Sequence, residues 1–262
     1  MTDEKIAKIV EYYDKRVEKY GASSGATLLD SNMRLLETQC AASWLSSEDA
    51  VLDVFCGNGI TTVELARHCR SITGIDLSTK MIETAKGYVE SRKPRLDNVS
   101  FANLNILDIP KVFAPESFDA VTSIRGLINH PSWELQEQAI SSIGDLLPKG
   151  GKFVFLEGSK NGLDRINELR DEFRLPRLEE PWYDKHFDEG ALLELLSERF
   201  EVVETRNLDT YFLLSRVLYP LAVLPDEPKF EHVCNTVARL AVDHLHTDQK
   251  VSLLICLCLK KR

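Results

Sequence analysis

Long apolar runs are missing from this chain. The most apolar late stretch, Tyr211 to Leu224, is broken by Ser215, Arg216 and Pro220 and is too short to cross a bilayer. A basic excess is missing too. Against 32 Lys and Arg stand 41 Asp and Glu, a net charge of −9, which argues against a nucleic-acid surface. None of the six cysteines forms a C-x-x-C pair. Together with a polar start, Met1-Thr2-Asp3-Glu4-Lys5, this predicts a cytoplasmic chain without a secretion signal and with free thiols. Cys256 and Cys258 alternate in a strand-like run and read as small core residues on one face. No metal constellation is visible: His244 and His246, two apart, fall on different faces of a helix. Internal repeats and low-complexity segments are absent, and 262 residues suit one domain with a large core and insertions.

The informative stretch is Val51 to Thr62. Val51-Leu52-Asp53-Val54-Phe55 reads as a buried strand, Cys56-Gly57-Asn58-Gly59 as a tight turn, and Ile60, Val63 and Ala66 as the inner face of a helix. A second apolar strand, Ser71 to Ile75, delivers Asp76 at its carboxyl end. Glycines in such a turn let backbone approach a ligand, and a carboxylate one strand over can accept from a ribose diol. Two ligands suit this plan, a dinucleotide and S-adenosylmethionine. The dinucleotide fingerprint wants a third glycine or an alanine where Thr62 stands. Asp53 would also put negative charge beside a pyrophosphate, which is unfavourable, whereas beside an ammonium and a sulfonium it is favourable. The electrostatics select the sulfonium cofactor.

Asp53-x-x-x-Gly57-x-Gly59 resembles the first motif of class I S-adenosylmethionine-dependent methyltransferases, and Asp76 resembles their ribose-binding acid. Phe101 to Pro110 is similar to the segment that holds the adenine. Ser117 to Ser123 resembles the fourth strand, and Leu146 to Gly151 the turn before the fifth. The likeness covers about residues 40 to 157 and is nearest to the small-molecule enzymes grouped with quinone biosynthesis. It implies a doubly wound, mostly parallel seven-stranded α/β sheet with S-adenosylmethionine as cofactor. Asp53, Phe55, Cys56, Gly57, Asn58, Gly59, Asp76, Leu77, Met81, Asn105, Ile106, Arg125 and Tyr13 would hold that cofactor. Two residues depart from the pattern. Phe55 stands where a glycine is usual, and Asn105 where an aspartate usually receives the adenine amino group. An amide oxygen accepts that bond without charge assistance, so differently tuned binding is expected.

The expected organisation is a single domain, 1–262. Residues 1–45 form a helical lid carrying Tyr12, Tyr13, Tyr20 and Arg34, and residues 46–157 the cofactor core. Two long excursions, 158–187 and 208–250, are read as substrate covers, since long insertions in a compact domain are usually functional. The apolar run Tyr211 to Leu224 offers a rival reading as a dimer interface.

Methyl transfer is a direct displacement, and holding the geometry in a dry site supplies most of the acceleration. A base is needed only where the nucleophile keeps a proton. His130, after the fourth strand, is the candidate base, with a backbone-bonding helix entry as the alternative. Asn129, Glu157, Tyr211 and Arg216 are candidate substrate contacts. Glu157 reads equally as a buried structural acid, and Tyr211 equally as core. Arg125 can serve substrate or cofactor carboxylate. The segment Trp182 to Phe187 can close over the substrate. The reading is methyl transfer to an oxygen, nitrogen or carbon of a small metabolite. Alternatives are a protein, peptide or RNA methyltransferase, a non-catalytic cofactor-binding module, or, remotely, a nicotinamide dehydrogenase.

Overall fold

The computed structural model describes residues 2–94 and 96–262. Two helices lead the chain, α1 (Thr2–Tyr20) and α2 (Ser31–Ser43). The alternating unit follows: β1 (Ala50–Val54), α3 (Ile60–Leu65), β2 (Ser71–Asp76), α4 (Thr79–Glu90), β3 (Val99–Asn103), α5 (Ile109–Val112), β4 (Ala120–Ile124), α6 (Trp133–Leu146), β5 (Lys152–Gly158). After it come α7 (Lys160–Glu172), α8 (Glu189–Ser197), β6 (Phe200–Thr205), α9 (Asp209–Leu213), α10 (Tyr219–Val223), α11 (Val233–Ala241) and β7 (Leu254–Lys261). The sheet order is β3-β2-β1-β4-β5-β7-β6, with β7 antiparallel to both of its neighbours and the first five strands parallel. Strand order reverses between β1 and β4, and such a switch point opens a crevice at the carboxyl ends of the strands.

Burial on both faces explains why the strands read as unbroken apolar runs. Along β5, Phe153 and Phe155 join one core cluster while Val154 and Leu156 join the other, all of them buried. One cluster gathers α2 and the late helices, through Met33, Leu36, Cys40, Tyr211 and Phe212. The opposite one holds Leu52, Val54, Val121 and Ile143. Cys256 and Cys258 both sit in the first cluster, as their alternation predicts. Side-chain caps punctuate the helices: Asp30 accepts from Met33 N, Ser78 from Met81 N, Ser132 from Leu135 N and Asp188 from Ala191 N.

The last strand begins only at Leu254, because the amides of Lys250 and Ser252 donate to the Asp209 carboxylate instead of to a neighbouring strand. The apolar run Tyr211 to Leu224 is folded inward as α9, a π-helical turn at Leu214–Leu218, and α10. Tyr211, Phe212, Ser215, Val217, Tyr219 and Pro220 are buried, whereas Leu218 and Leu224 are exposed, so the run turns one side into the core.

Candidate active site

At the carboxyl ends of β1, β2 and β4 lies a cavity of about 290 Å³. Its floor is the turn after β1. Phe55 there adopts φ +57° and Gly57 φ +55°, and Gly59 enters α3 at φ +76°. The left-handed region suits glycine, and a Cβ on Gly59 would meet Ala85 Cβ and the Phe101 ring at 2.7 Å. Phe55 bears the strain because its ring packs on Gly126, where a side chain would collide with it, and meets His130 edge-on at 5.4 Å. The unusual residue is thus accommodated by a glycine elsewhere.

Two carboxylates flank this turn. Asp76, ending β2, accepts from Gly57 N at 3.0 Å and Ser78 N at 2.8 Å, and still lines the cavity. Burial raises it to about 6, against the pull of those amides. Asp53 takes the hydroxyls of Thr122 and Thr62, each at 2.6 Å. Burial raises it also to about 6, opposed by both hydroxyls. A free lone pair on each Asp76 oxygen, next to a backbone turn, is the acceptor set a ribose diol needs.

The roof comes from α1 and from the end of the first excursion. Ile6, Ile9, Val10 and Tyr13 face inward, and Tyr12 stacks on Tyr183 at 4.5 Å. Ser78 Oγ donates to Asp14 at 2.5 Å and Lys80 bonds Glu18 at 2.5 Å, which ties α1 to the start of α4. Two guanidiniums reach the cavity. Arg125 pairs with Glu37; burial alone would lower its pKa, and Glu37 more than reverses this. Arg34 donates to the hydroxyls of Ser24, Thr27 and Thr61 and bonds no carboxylate among the described residues. Burial lowers it, which Glu37 partly offsets. His130 lines the wall with a buried Nε2 that has no partner among the described residues, and burial lowers it to about 4.

The structure therefore brings Asp53, Phe55, Cys56, Gly57, Asp76, Leu77, Met81, Tyr13, Arg125, Asn129 and His130 to one cavity. Other expected residues lie away from it. Asn58 anchors the linker, donating to the carbonyls of Gly21 and Ser23 at 2.9 Å. Gly59 lies behind the turn against Ala85 and Phe101. Asn105 turns its oxygen to Leu107 N at 3.0 Å as a cap, and Ile106 is buried in the core. Three substrate contacts fall away. Glu157 is fully buried and holds the amides of Gly126, Leu127 and Ile128 together with Ser123 Oγ. Tyr211 and Arg216 both bond the Asp30 carboxylate at the start of α2. Among the described residues, none of 208–250 lines the cavity; Tyr211 and Arg216 of the second excursion pack against the start of α2.

Tyr183 and Asp184 line the cavity as part of the segment expected to close over the substrate, and Glu37 lines it without having been named as a site residue. A signal for Glu37 existed. It follows Arg34 by one turn on a helix whose neighbours Met33, Leu36 and Cys40 are core, an odd place for two charges. Among the described residues there is no cluster of His, Cys, Asp and Glu able to hold a metal ion.

The sheet order, the switch-point crevice and the acid at the end of β2 define a class I methyltransferase fold. Residues 51–151, the centre of the chain, match the family described as "Methyltransferase domain". The 2-phytyl-1,4-naphtoquinone methyltransferase of Nostoc sp. is 36% identical over 96 residues, 35% of this chain and 41% of that one. The demethylmenaquinone methyltransferase of Porphyromonas gingivalis is 37% identical over 114 residues, 42% and 44% of the two chains. The chain thus spans less than half the length of these two relatives. Among solved structures, phosphoethanolamine N-methyltransferase 1 of Haemonchus contortus superposes with TM-score 0.66 at 13% identity, over 100% of this chain and 50% of that one. NodS of Bradyrhizobium japonicum, an N-methyltransferase in complex with S-adenosyl-L-homocysteine, gives 0.53 at 19% identity, over 74% and 89%. These two likenesses concern the fold.

Proposed function

We propose that the protein is an S-adenosylmethionine-dependent methyltransferase acting on an oxygen, nitrogen or carbon of a small metabolite. The observation that carries this is the Asp76 carboxylate, oriented by two amides toward a roofed cavity that also reaches the end of β4. In this reading Asp76 accepts from the ribose, and Leu77 and Met81 flank the adenosine. Arg34 receives the amino-acid carboxylate, and Asp53 and Glu37 supply negative charge for the cationic groups. When bound, the cofactor supplies an electrophilic methyl group. The chain's residues orient the acceptor and exclude water from it. The small size of the acceptor is supported by the roof of α1 and residues 181–184 and by the acidic net charge.

The first test is calorimetry with S-adenosylhomocysteine against NADH. Saturable binding of the former alone is expected; NADH binding in its place would sink the reading.

A pH dependence follows as well. Asp53 and Asp76 sit near 6, so they take up protons as pH falls from 7 to 5. A protonated Asp76 loses acceptor strength toward a diol. S-adenosylhomocysteine affinity is therefore expected to fall on acidification, by at most about tenfold per pH unit for each proton involved. Equal dissociation constants at pH 7.5 and 5.0 would contradict the assignment.

A further inference from the structure

A second polar centre lies in the same cavity, and the cofactor contacts leave it unused. Asp184 sits on the loop before α8, its side chain only 7% exposed. Oδ1 accepts from Asn129 Nδ2 at 2.7 Å. Oδ2 has no hydrogen bond among the described residues; its nearest cationic candidate is His186 Nε2, at 4.0 Å. The groups facing it come from three elements. Its own loop brings Glu180, Tyr183 and His186, the segment after β4 brings Arg125 and Asn129, and α1 brings Tyr13. Arg125, the strongest cation nearby, is already engaged by Glu37. A buried carboxylate with one oxygen fixed and the other unclaimed, on a wall shared with Ile6, Ile9 and Ile128, is set to receive a proton from a bound molecule.

We propose that Asp184 is the proton acceptor of the methyl transfer, and that the acceptor is a neutral molecule presenting a hydroxyl from an apolar skeleton. This rests on the methyltransferase reading above. As the hydroxyl O–H bond breaks, its proton passes to Asp184 Oδ2 and its electron pair forms the O–CH₃ bond. The S–CH₃ bond breaks with its pair retained on sulfur, so the sulfonium charge and the carboxylate charge disappear together. An acceptor that is already an anion would need no base here, whereas a neutral hydroxyl does. His130, the other candidate, has little hold on a proton. Burial lowers it to about 4, whereas burial raises Asp184 to about 7, so Asp184 holds a proton more firmly. His130 Nε2 is left to hydrogen-bond the acceptor.

The test uses 2-naphthol as the hydroxyl probe, followed by its fluorescence, with S-adenosylhomocysteine present. The ionised carboxylate accepts the naphthol proton better than the acid does. Affinity of the native protein should therefore rise about tenfold between pH 5.5 and 8, and Asp184→Asn should bind weakly and without this rise. The amide is isosteric, and unchanged unfolding midpoints would show that the fold is kept. A pH-independent affinity in the native protein, an unaltered rise in Asp184→Asn, or no saturable naphthol binding would each overturn the proposal. Calorimetry of S-adenosylhomocysteine on the same proteins separates the two readings. Its failure to bind the native protein removes the methyltransferase assignment, whereas normal binding with a negative naphthol result removes Asp184 alone.

Discussion

Asp76→Ala is expected to weaken S-adenosylhomocysteine binding by about 1.5–3 kcal/mol, the scale of hydrogen bonds to a charged group, or roughly 10- to 150-fold in dissociation constant. Two losses contribute. The ribose loses its acceptor, and the amides of Gly57 and Ser78 lose theirs, so the turn at Gly57 is less firmly held. Asp76→Asn separates them. One amide oxygen remains to accept, but charge assistance is gone and an NH₂ faces one of the backbone donors. A direct contact predicts a clear loss in both variants. A purely structural role predicts an Ala variant that binds normally once folded, with its cost appearing in unfolding alone. Calorimetry paired with urea unfolding reads both, and unchanged affinity in Asp76→Ala would remove the ribose contact.

What could be read from the sequence follows from the range of the interactions involved. The turn at Gly57 and the acid at Asp76 are local: strand, turn and strand end lie within 26 residues, and their apolar pattern fixes where each begins and stops. The roof was half legible. Tyr13 was named from the N-terminal helical segment, and α1 does present Ile6, Ile9 and Tyr13 to the cavity. Which excursion would close it was not legible, because Tyr12 on Tyr183 and Tyr211 on Asp30 are contacts between segments more than 150 residues apart. Nothing in the spacing of Tyr211, Ser215 and Arg216 says that their partner is the capping acid of α2. Glu157, Tyr211 and Arg216 lie outside the cavity lining for this reason, whereas Asn129 lines it. Each of the three was placed by strand or helix position, and each has its polar atoms claimed by a distant backbone or carboxylate.

Glu157 shows how far such a misplacement can matter. It ends β5 beside the cavity, yet Oε1 accepts from Ser123 Oγ at 2.6 Å, Gly126 N at 3.1 Å and Leu127 N at 3.0 Å, and Oε2 from Ile128 N at 3.2 Å. It therefore shapes the loop that carries Asn129 and His130 without reaching the cavity. Glu157→Ala would leave three buried amides without acceptors, at about 1–3 kcal/mol each before any water enters, so a loss of about 3–5 kcal/mol in unfolding free energy is expected. Glu157→Gln keeps the oxygen that serves three donors and should cost clearly less. The pH profile gives an independent reading. Burial raises Glu157 to about 7, against the pull of its donors, while the unfolded value is near 4.3. The folded state then binds the proton more tightly. Its contribution to stability is fully present below about 4.3 and is lost as pH rises through 7. Asp53, Asp76 and Asp184, all raised by burial, act in the same direction, whereas His130, lowered to about 4, and His186, also lowered by burial, work against them below 6.5. Four groups outweigh two, and the two act only below 6.5, so urea midpoints should be higher at pH 5.5 than at pH 8, and Glu157→Gln should show a shallower slope. A native protein whose midpoint climbs from pH 5.5 to 8 would mean that the donors, and not burial, govern these carboxyls.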